Sequence, residues 1–276
     1  MALGDRIKRR LKRVAHSITI AGARQGSGLP CSRILTYHSV GVRDHEMNVT
    51  PDEFRRQMEW LAEHAEVCPL ADAVEGAGGV AITFDDGYQD NLSVAAPILA
   101  ELGLSATVFV VAGRVGMRLA HDRDPQTGAL MTWEEIRNIE AMGWSIGGHS
   151  LTHRRLSRLT LAGQATEIHE STRLLEDNLG HRIEAFAYPF GSALDFNKTS
   201  KDLVRTHGYS YAVSNRYGVN TPGCDRWSLH RIWIDRSDTR DSFRAKVLGG
   251  LDRLAWLDSP AGIRARRVVN GLLKTG

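Results

Sequence analysis

From residue 33 onwards the chain alternates between two kinds of pattern. Short runs of apolar and β-branched residues occur at 33–39 (RILTYHS), 80–86 (VAITFDD), 105–112 (SATVFVVA), 144–150 (WSIGGHS), 184–190 (EAFAYPF), 209–214 (YSYAVS) and 229–234 (LHRIWI). Each has the length and residue types of a buried strand. Between them stand stretches of helical periodicity with their own boundary signals. Thr50 precedes Pro51 and is followed by Glu53, which is an N-cap, a first-turn proline and a capping glutamate. Thr132 and Glu135 repeat that logic, and Gly143 closes the helix they open. Residues 88–102 and 160–179 also read as helices. Strand followed by helix, many times over, calls for a parallel sheet. The pattern predicts an α/β fold, a distorted (β/α) barrel of about seven parallel strands, with an open doubly wound sheet as the alternative.

The first 29 residues do not share this pattern. Leu3, Ile7, Leu11, Val14 and Ile18 form one helical stripe, and the basic residues lie off it. Two readings fit: a helix lying on an anionic membrane surface through residues 1–20, or a solvated helix packing its stripe on the domain. His16, Ser17 and Thr19 interrupt what would be the apolar region of a secretory signal, which argues against secretion. The glycine-rich segment 22–30 reads as a linker. The expected organisation is a basic helix and linker at 1–29, a barrel at 30–240 and a helical tail at 241–276.

Composition narrows the partners. The chain of 276 residues is 42% hydrophobic and 24% charged, an ordinary soluble make-up. Its net charge of +3 is concentrated at the ends, with six basic residues against Asp5 in the first 13, so the body between is mildly acidic. An acidic body argues against nucleic acid as the partner. Cys31, Cys68 and Cys224 fit neither a disulfide framework nor a cysteine zinc site, and they suit a reducing, cytoplasmic setting.

The candidate chemistry falls where strands end. Asp85 and Asp86 follow one apolar run, His149 another, Tyr188-Pro189-Phe190-Gly191 a third, and Tyr37-His38 the first. In parallel α/β folds, reactive groups gather beyond the carboxyl ends of the strands. His149 and His153 are four apart, and one helical turn would bring both imidazoles to the same side. Two imidazoles and a carboxylate make a metal-ligand set, and a cation answers the repulsion between adjacent aspartates. One carboxylate can then bind the metal while its neighbour stays free as a base.

These residues resemble the polysaccharide deacetylases, the NodB-homology carbohydrate esterases of family four. TFDDG (83–87) is similar to the family's first motif and HSLTH (149–153) to its second, the histidine metal pair. YPFG (188–191) looks like a variant of the third, R-x-P-Y or R-x-P-F, and supporting similarity runs over residues 33–235. The resemblance implies a NodB-type barrel, Asp85 as general base, and Asp86, His149 and His153 as ligands of a divalent metal. That metal is usually zinc, with cobalt or nickel sometimes used. The segment Tyr188, Pro189 and Phe190 would meet the substrate, with the Phe190 N–H facing the oxyanion. The implied reaction is hydrolysis of the N-acetyl group of an N-acetylhexosamine-containing saccharide.

The chain also departs from the pattern. The third-motif arginine that braces the base is replaced by Ala187, and the fourth motif, D-x-x-D-W, is not visible. The fifth, L-x-H, normally supplies the acid; here the chain reads Leu229-His230-Arg231, with the histidine one position early. In a strand that shift turns the side chain to the opposite face, which leaves His230 either the acid or a bystander. His38 is a second candidate, for substrate contact or a core role. His121, His169, His181 and His207 fall in helical or loop positions with no chemistry expected. Two other functions share the fold: amidohydrolysis of a small cyclic amide, and carbohydrate binding without turnover. The basic ends suggest a lipid-linked saccharide processed at the inner face of a membrane.

Overall fold

The computed structural model describes residues 32–75, 78–119, 128–259 and 261–263. The basic leader, Cys31, His121 and the last part of the tail lie outside them. No helix among the described residues is long and apolar enough to cross a membrane.

Every predicted strand forms. Two short ones, β2 (Ser39–Val40) and β3 (Asn48–Val49), pair separately after β1 (Ser32–Tyr37). The others are β4 (Gly79–Phe84), β5 (Thr107–Val110), β6 (Ser145–Gly148), β7 (Ala185–Ala187), β8 (Tyr211–Tyr217) and β9 (Leu229–Trp233). With β1 they close a seven-stranded parallel barrel in the order β1-β4-β5-β6-β7-β8-β9. Closure comes from Leu35 and Thr36 of β1, which register with Ile232 and Trp233 of β9. The open doubly wound alternative is thereby excluded.

Alternation along the strands separates two cores. Ile34, Ala81, Phe109, Ala185, Ala187, Val213 and Leu229 fill the barrel interior. Leu35, Ile82, Val108, Ile146, Phe186, Ala212 and Ile232 face outwards and pack against Phe54, Met58, Ile136, Ile168 and Val204. Phe109 dominates the interior and dictates its neighbour. A Cβ on Gly147 would come within 2.4 Å of the Phe109 ring, so β6 carries glycine there.

The helices start as their caps require. Thr50 accepts from the Glu53 N–H to open Pro51–His64, and Thr132 and Glu135 form a reciprocal capping box for Trp133–Ala141. Within 88–102 the chain makes a π-helical turn, Asn91–Ala95, before the α-helix Ala96–Glu101. Past the barrel, the helix Arg240–Val247 buries Phe243, and Asp252 takes a bidentate pair from Arg33 of β1.

Candidate active site

Asp85, His149 and Tyr188 each prolong a strand by one step. The Asp85 N–H donates to the Tyr37 carbonyl, the His149 N–H to Val110 and the Tyr188 N–H to Val213. The ladders thus carry the backbone out to the carboxyl face of the barrel, and the chain then turns sharply. Among the described residues, four other than glycine have positive φ: Asp86 (73°), Ser150 (62°), His153 (61°) and Phe190 (62°). Left-handed backbone strains a residue with a Cβ, and such strain gathers where function requires it. Here all four belong to the motif segments.

Asp86, His149 and His153 form a candidate metal centre. Their ligand atoms all lie within 4.8 Å of one another. Nε2 of His153 is 3.3 Å from Asp86 Oδ1, and Nε2 of His149 is 3.6 Å from it. Donors around a tetrahedral zinc with ordinary bond lengths stand about 3.4 Å apart, so the set fits such an ion. His149 Nδ1 is 2.8 Å from the Ala187 carbonyl. A carbonyl can only accept, so Nδ1 carries the proton and Nε2 presents its lone pair to the centre.

The histidine segment differs from its expected form. The two rings do share one side, with centroids 4.9 Å apart, but an irregular turn brings them there, with no helix. The Ser150 hydroxyl accepts from the His153 N–H at 3.1 Å, and Glu167 accepts from the Thr152 N–H at 2.8 Å and from its hydroxyl. Glu167 sits buried on the helix Leu161–Leu179. Its carboxylate holds the left-handed turn from outside.

Asp85 is 1% exposed and gripped by Arg231, itself 1% exposed. Nη1 donates to Oδ1 at 2.7 Å and Nη2 to Oδ2 at 2.6 Å. The remaining guanidinium donors reach the Ser214 carbonyl, Thr83 Oγ1 and Asn215 Oδ1, at 3.0, 3.2 and 2.7 Å. All five N–H groups are therefore used, the condition under which a buried charge is tolerated. The β8 register shift between Val213 and Tyr217 contributes Ser214 and Asn215 to this arrangement. Burial pushes the Asp85 carboxyl up, but the Arg231 charge and the Arg231 hydrogen bonds outweigh it. The carboxylate is held well below its usual range. Adjacent aspartates coexist because Asp85 has its own cation and Asp86 faces the metal centre.

The brace on Asp85 is Arg231, a residue that no family motif specifies. It stands two residues after Leu229, at the place an L-x-H histidine would hold, and supplies the guanidinium that Ala187 lacks. The strand parity that turns His230 outwards turns Arg231 in, and that was the available signal. His230 is turned away from Asp85: its Nδ1 lies 3.3 Å from the Arg216 carbonyl, and its N–H donates to Asn220. His38 enters the site instead, 4% exposed, with Nε2 3.9 Å from Asp85 Oδ2 and its ring 5.8 Å from that of Trp233. Burial lowers its pKa to about 4, with Asp85 opposing the shift and the Arg231 charge adding to it.

The Tyr188–Phe190 segment divides its roles. The Tyr188 side chain is fully buried, stacks on Phe196 at 4.1 Å, and donates its hydroxyl to the Trp227 carbonyl at 2.9 Å. It packs behind the loop and does not face the site. Pro189 is likewise buried. Phe190 is held between the His153 ring, at 4.7 Å, and the Arg155 guanidinium, at 3.8 Å. Arg155 is also ion-paired with Asp195.

A closed parallel barrel with an Asp-His-His centre beside an arginine-braced carboxylate is a hydrolase-type arrangement. The polysaccharide deacetylase family model matches residues 73–212, and the chain belongs to that family. It is 26% identical to YxkH of Bacillus subtilis, a protein assigned by name to the polysaccharide deacetylases, over 78% of this chain and 75% of that one. It is also 26% identical to a poly-β-1,6-N-acetyl-D-glucosamine N-deacetylase of Staphylococcus aureus, over 68% of each. The structure of IcaB from Ammonifex degensii superposes with a TM-score of 0.70 at 25% identity, covering 83% of this chain and 98% of that one.

Proposed function

We propose that this protein is a metal-dependent deacetylase that hydrolyses the N-acetyl group of an N-acetylhexosamine-containing glycan. One observation carries the reading: a carboxylate kept ionised by a five-donor arginine stands next in sequence to a two-histidine, one-aspartate metal centre. When bound to Asp86, His149 and His153, a divalent cation, most readily zinc, supplies a Lewis acid that activates water and polarises the acetyl carbonyl.

The residues of the chain handle the proton and the oxyanion. Asp85 takes a proton from the attacking water as the new C–O bond forms. Arg231 fixes the orientation of that carboxylate without blocking its outward lone pairs. The Phe190 N–H faces the developing oxyanion, with the Phe190 ring clamped by His153 and Arg155. The proton taken by Asp85 is delivered to the departing nitrogen, and His38, with Nε2 3.9 Å from Asp85 Oδ2, is the group placed to assist that delivery. The C–N bond breaks to give acetate and a free amine. His230 has no part in this sequence.

Similarity to the Staphylococcus aureus enzyme favours a β-1,6-linked N-acetylglucosamine polymer as substrate. Trp233, 36% exposed beside His38, offers an aromatic face for a pyranose ring. The basic ends of the chain support work on lipid-linked saccharides at the inner face of a membrane. Acetate release from β-1,6-linked N-acetylglucosamine oligomers, compared with β-1,4-linked ones, tests the function. Release from the β-1,6 series is expected, and failure with both linkages refutes the reading. Unchanged turnover of lipid-linked acceptors after removal of residues 1–29 would refute the membrane role.

A further inference from the structure

Outside the barrel wall, behind the Tyr188 loop, lies a cavity of ≈ 290 Å³ that the deacetylase reading leaves unused. Its walls include Phe196, Lys198, Lys201, Arg216, Asp225 and His230. Three cations and a histidine thus face one carboxylate. Lys198 and Lys201, on the helix Lys198–Thr206, are bonded to Asp202 and Asp225 at 2.5 and 2.8 Å. Exposed pairs of this kind are weak and readily shared with a ligand.

Arg216 is in a different position. It is half-buried on β8, and among the described residues no hydrogen bond or ion pair engages its guanidinium. Its Nε is shut off from solvent with no acceptor. A buried donor left unmade is a standing cost, and here the donor belongs to a permanent charge. His230 adjoins it, with burial and the Arg216 charge together lowering its pKa.

We propose that this cavity binds a phosphate group, taken either from free phosphate or from a phosphorylated saccharide. The terminal Nη1 and Nη2 groups of the guanidinium supply a planar pair of donors for a tetrahedral oxyanion, and the two lysines that also line the cavity supply point charges. The volume lies at the small end of ligand pockets, enough for a phosphate with one attached ring and too little for a chain. Phe196 forms an apolar wall there and stacks on Tyr188 of the active-site loop. Asn215, bonded to Arg231 and to the Phe190 carbonyl, immediately precedes Arg216 in the chain. The site is independent of the deacetylase assignment.

Calorimetric titration of the metal-loaded full-length protein with inorganic phosphate, N-acetylglucosamine 1-phosphate and uncharged N-acetylglucosamine tests the proposal. Both phosphates are expected to bind, and Arg216→Gln to weaken them about tenfold or more while deacetylation of a neutral substrate continues unchanged. Cys224 also lines the cavity, so phosphate is expected to slow its alkylation by iodoacetamide. Tighter binding of the sugar phosphate identifies a phosphorylated saccharide as the source, and equal binding identifies free phosphate; either supports the site. Unchanged phosphate affinity in Arg216→Gln, or unslowed alkylation at saturating phosphate, overturns it. If Arg216→Gln fails to fold, the double variant Lys198→Gln/Lys201→Gln is expected to lose affinity several-fold, and an unaltered affinity there overturns the proposal equally.

Discussion

Arg231 of the last strand closes on Asp85 at the end of β4 through two parallel hydrogen bonds, with both side chains buried. The pair spans 146 positions of sequence. It bridges β4 and β9, the two strands that flank β1, and sets the charge state of the proposed base.

Removing one partner of such a pair strands the other charge in the interior. Arg231→Ala is expected to lower the unfolding free energy by about 3–5 kcal/mol. Arg231→Lys falls between, because an ammonium cannot reproduce the bidentate fork. Urea unfolding of the single variants and of Asp85→Asn/Arg231→Ala measures this; the double variant should recover part of the loss, since no uncompensated carboxylate remains.

The buried His38 makes stability depend on pH. Its pKa is about 4 in the fold, against about 6.5 when unfolded, so between these values the unfolded chain binds the extra proton. Stability from this group is complete above about pH 6.5 and falls as pH drops towards 4. The total is about 3 kcal/mol. His38→Asn should flatten the wild-type slope over that window in chemical denaturation, and an unaltered slope rules the assignment out.

Glu167 braces the turn that carries His153 by accepting from the Thr152 N–H and hydroxyl. Glu167→Ala releases the turn that carries His153, and metal affinity should fall by about 10–100-fold with the barrel intact. Competition with a chromophoric chelator reads the affinity, and circular dichroism checks the fold.

Trp233 offers its face at the mouth of the site. Trp233→Ala is expected to raise KM for glycan oligomers about 3–10-fold and leave kcat nearly unchanged, as loss of ring stacking requires. An equal fall in kcat would place the indole in the chemistry instead.

Most of the barrel was legible because period-2 apolar runs ending in polar residues are a local signal, and the caps at Thr50 and Thr132 are local too. What the chain concealed is non-local. The turn at 149–153 looked helical from its i, i+4 spacing, but Ser150 and a glutamate fourteen positions beyond His153 hold it in a left-handed form. The family motif puts the brace for Asp85 at position 187, where this chain has alanine; the brace lies instead on β9, where only barrel closure makes Arg231 a neighbour. His230 drew notice by residue type, while strand parity had already turned it outwards.

The central claim is that Asp85 serves catalysis without holding the metal. Metal content and acetate release, measured together on Asp85→Asn and wild type, test it most directly. Full metal occupancy is expected in the variant, with acetate release reduced by about 10²–10⁴-fold. Turnover close to wild type, or metal lost along with the carboxylate, contradicts the account.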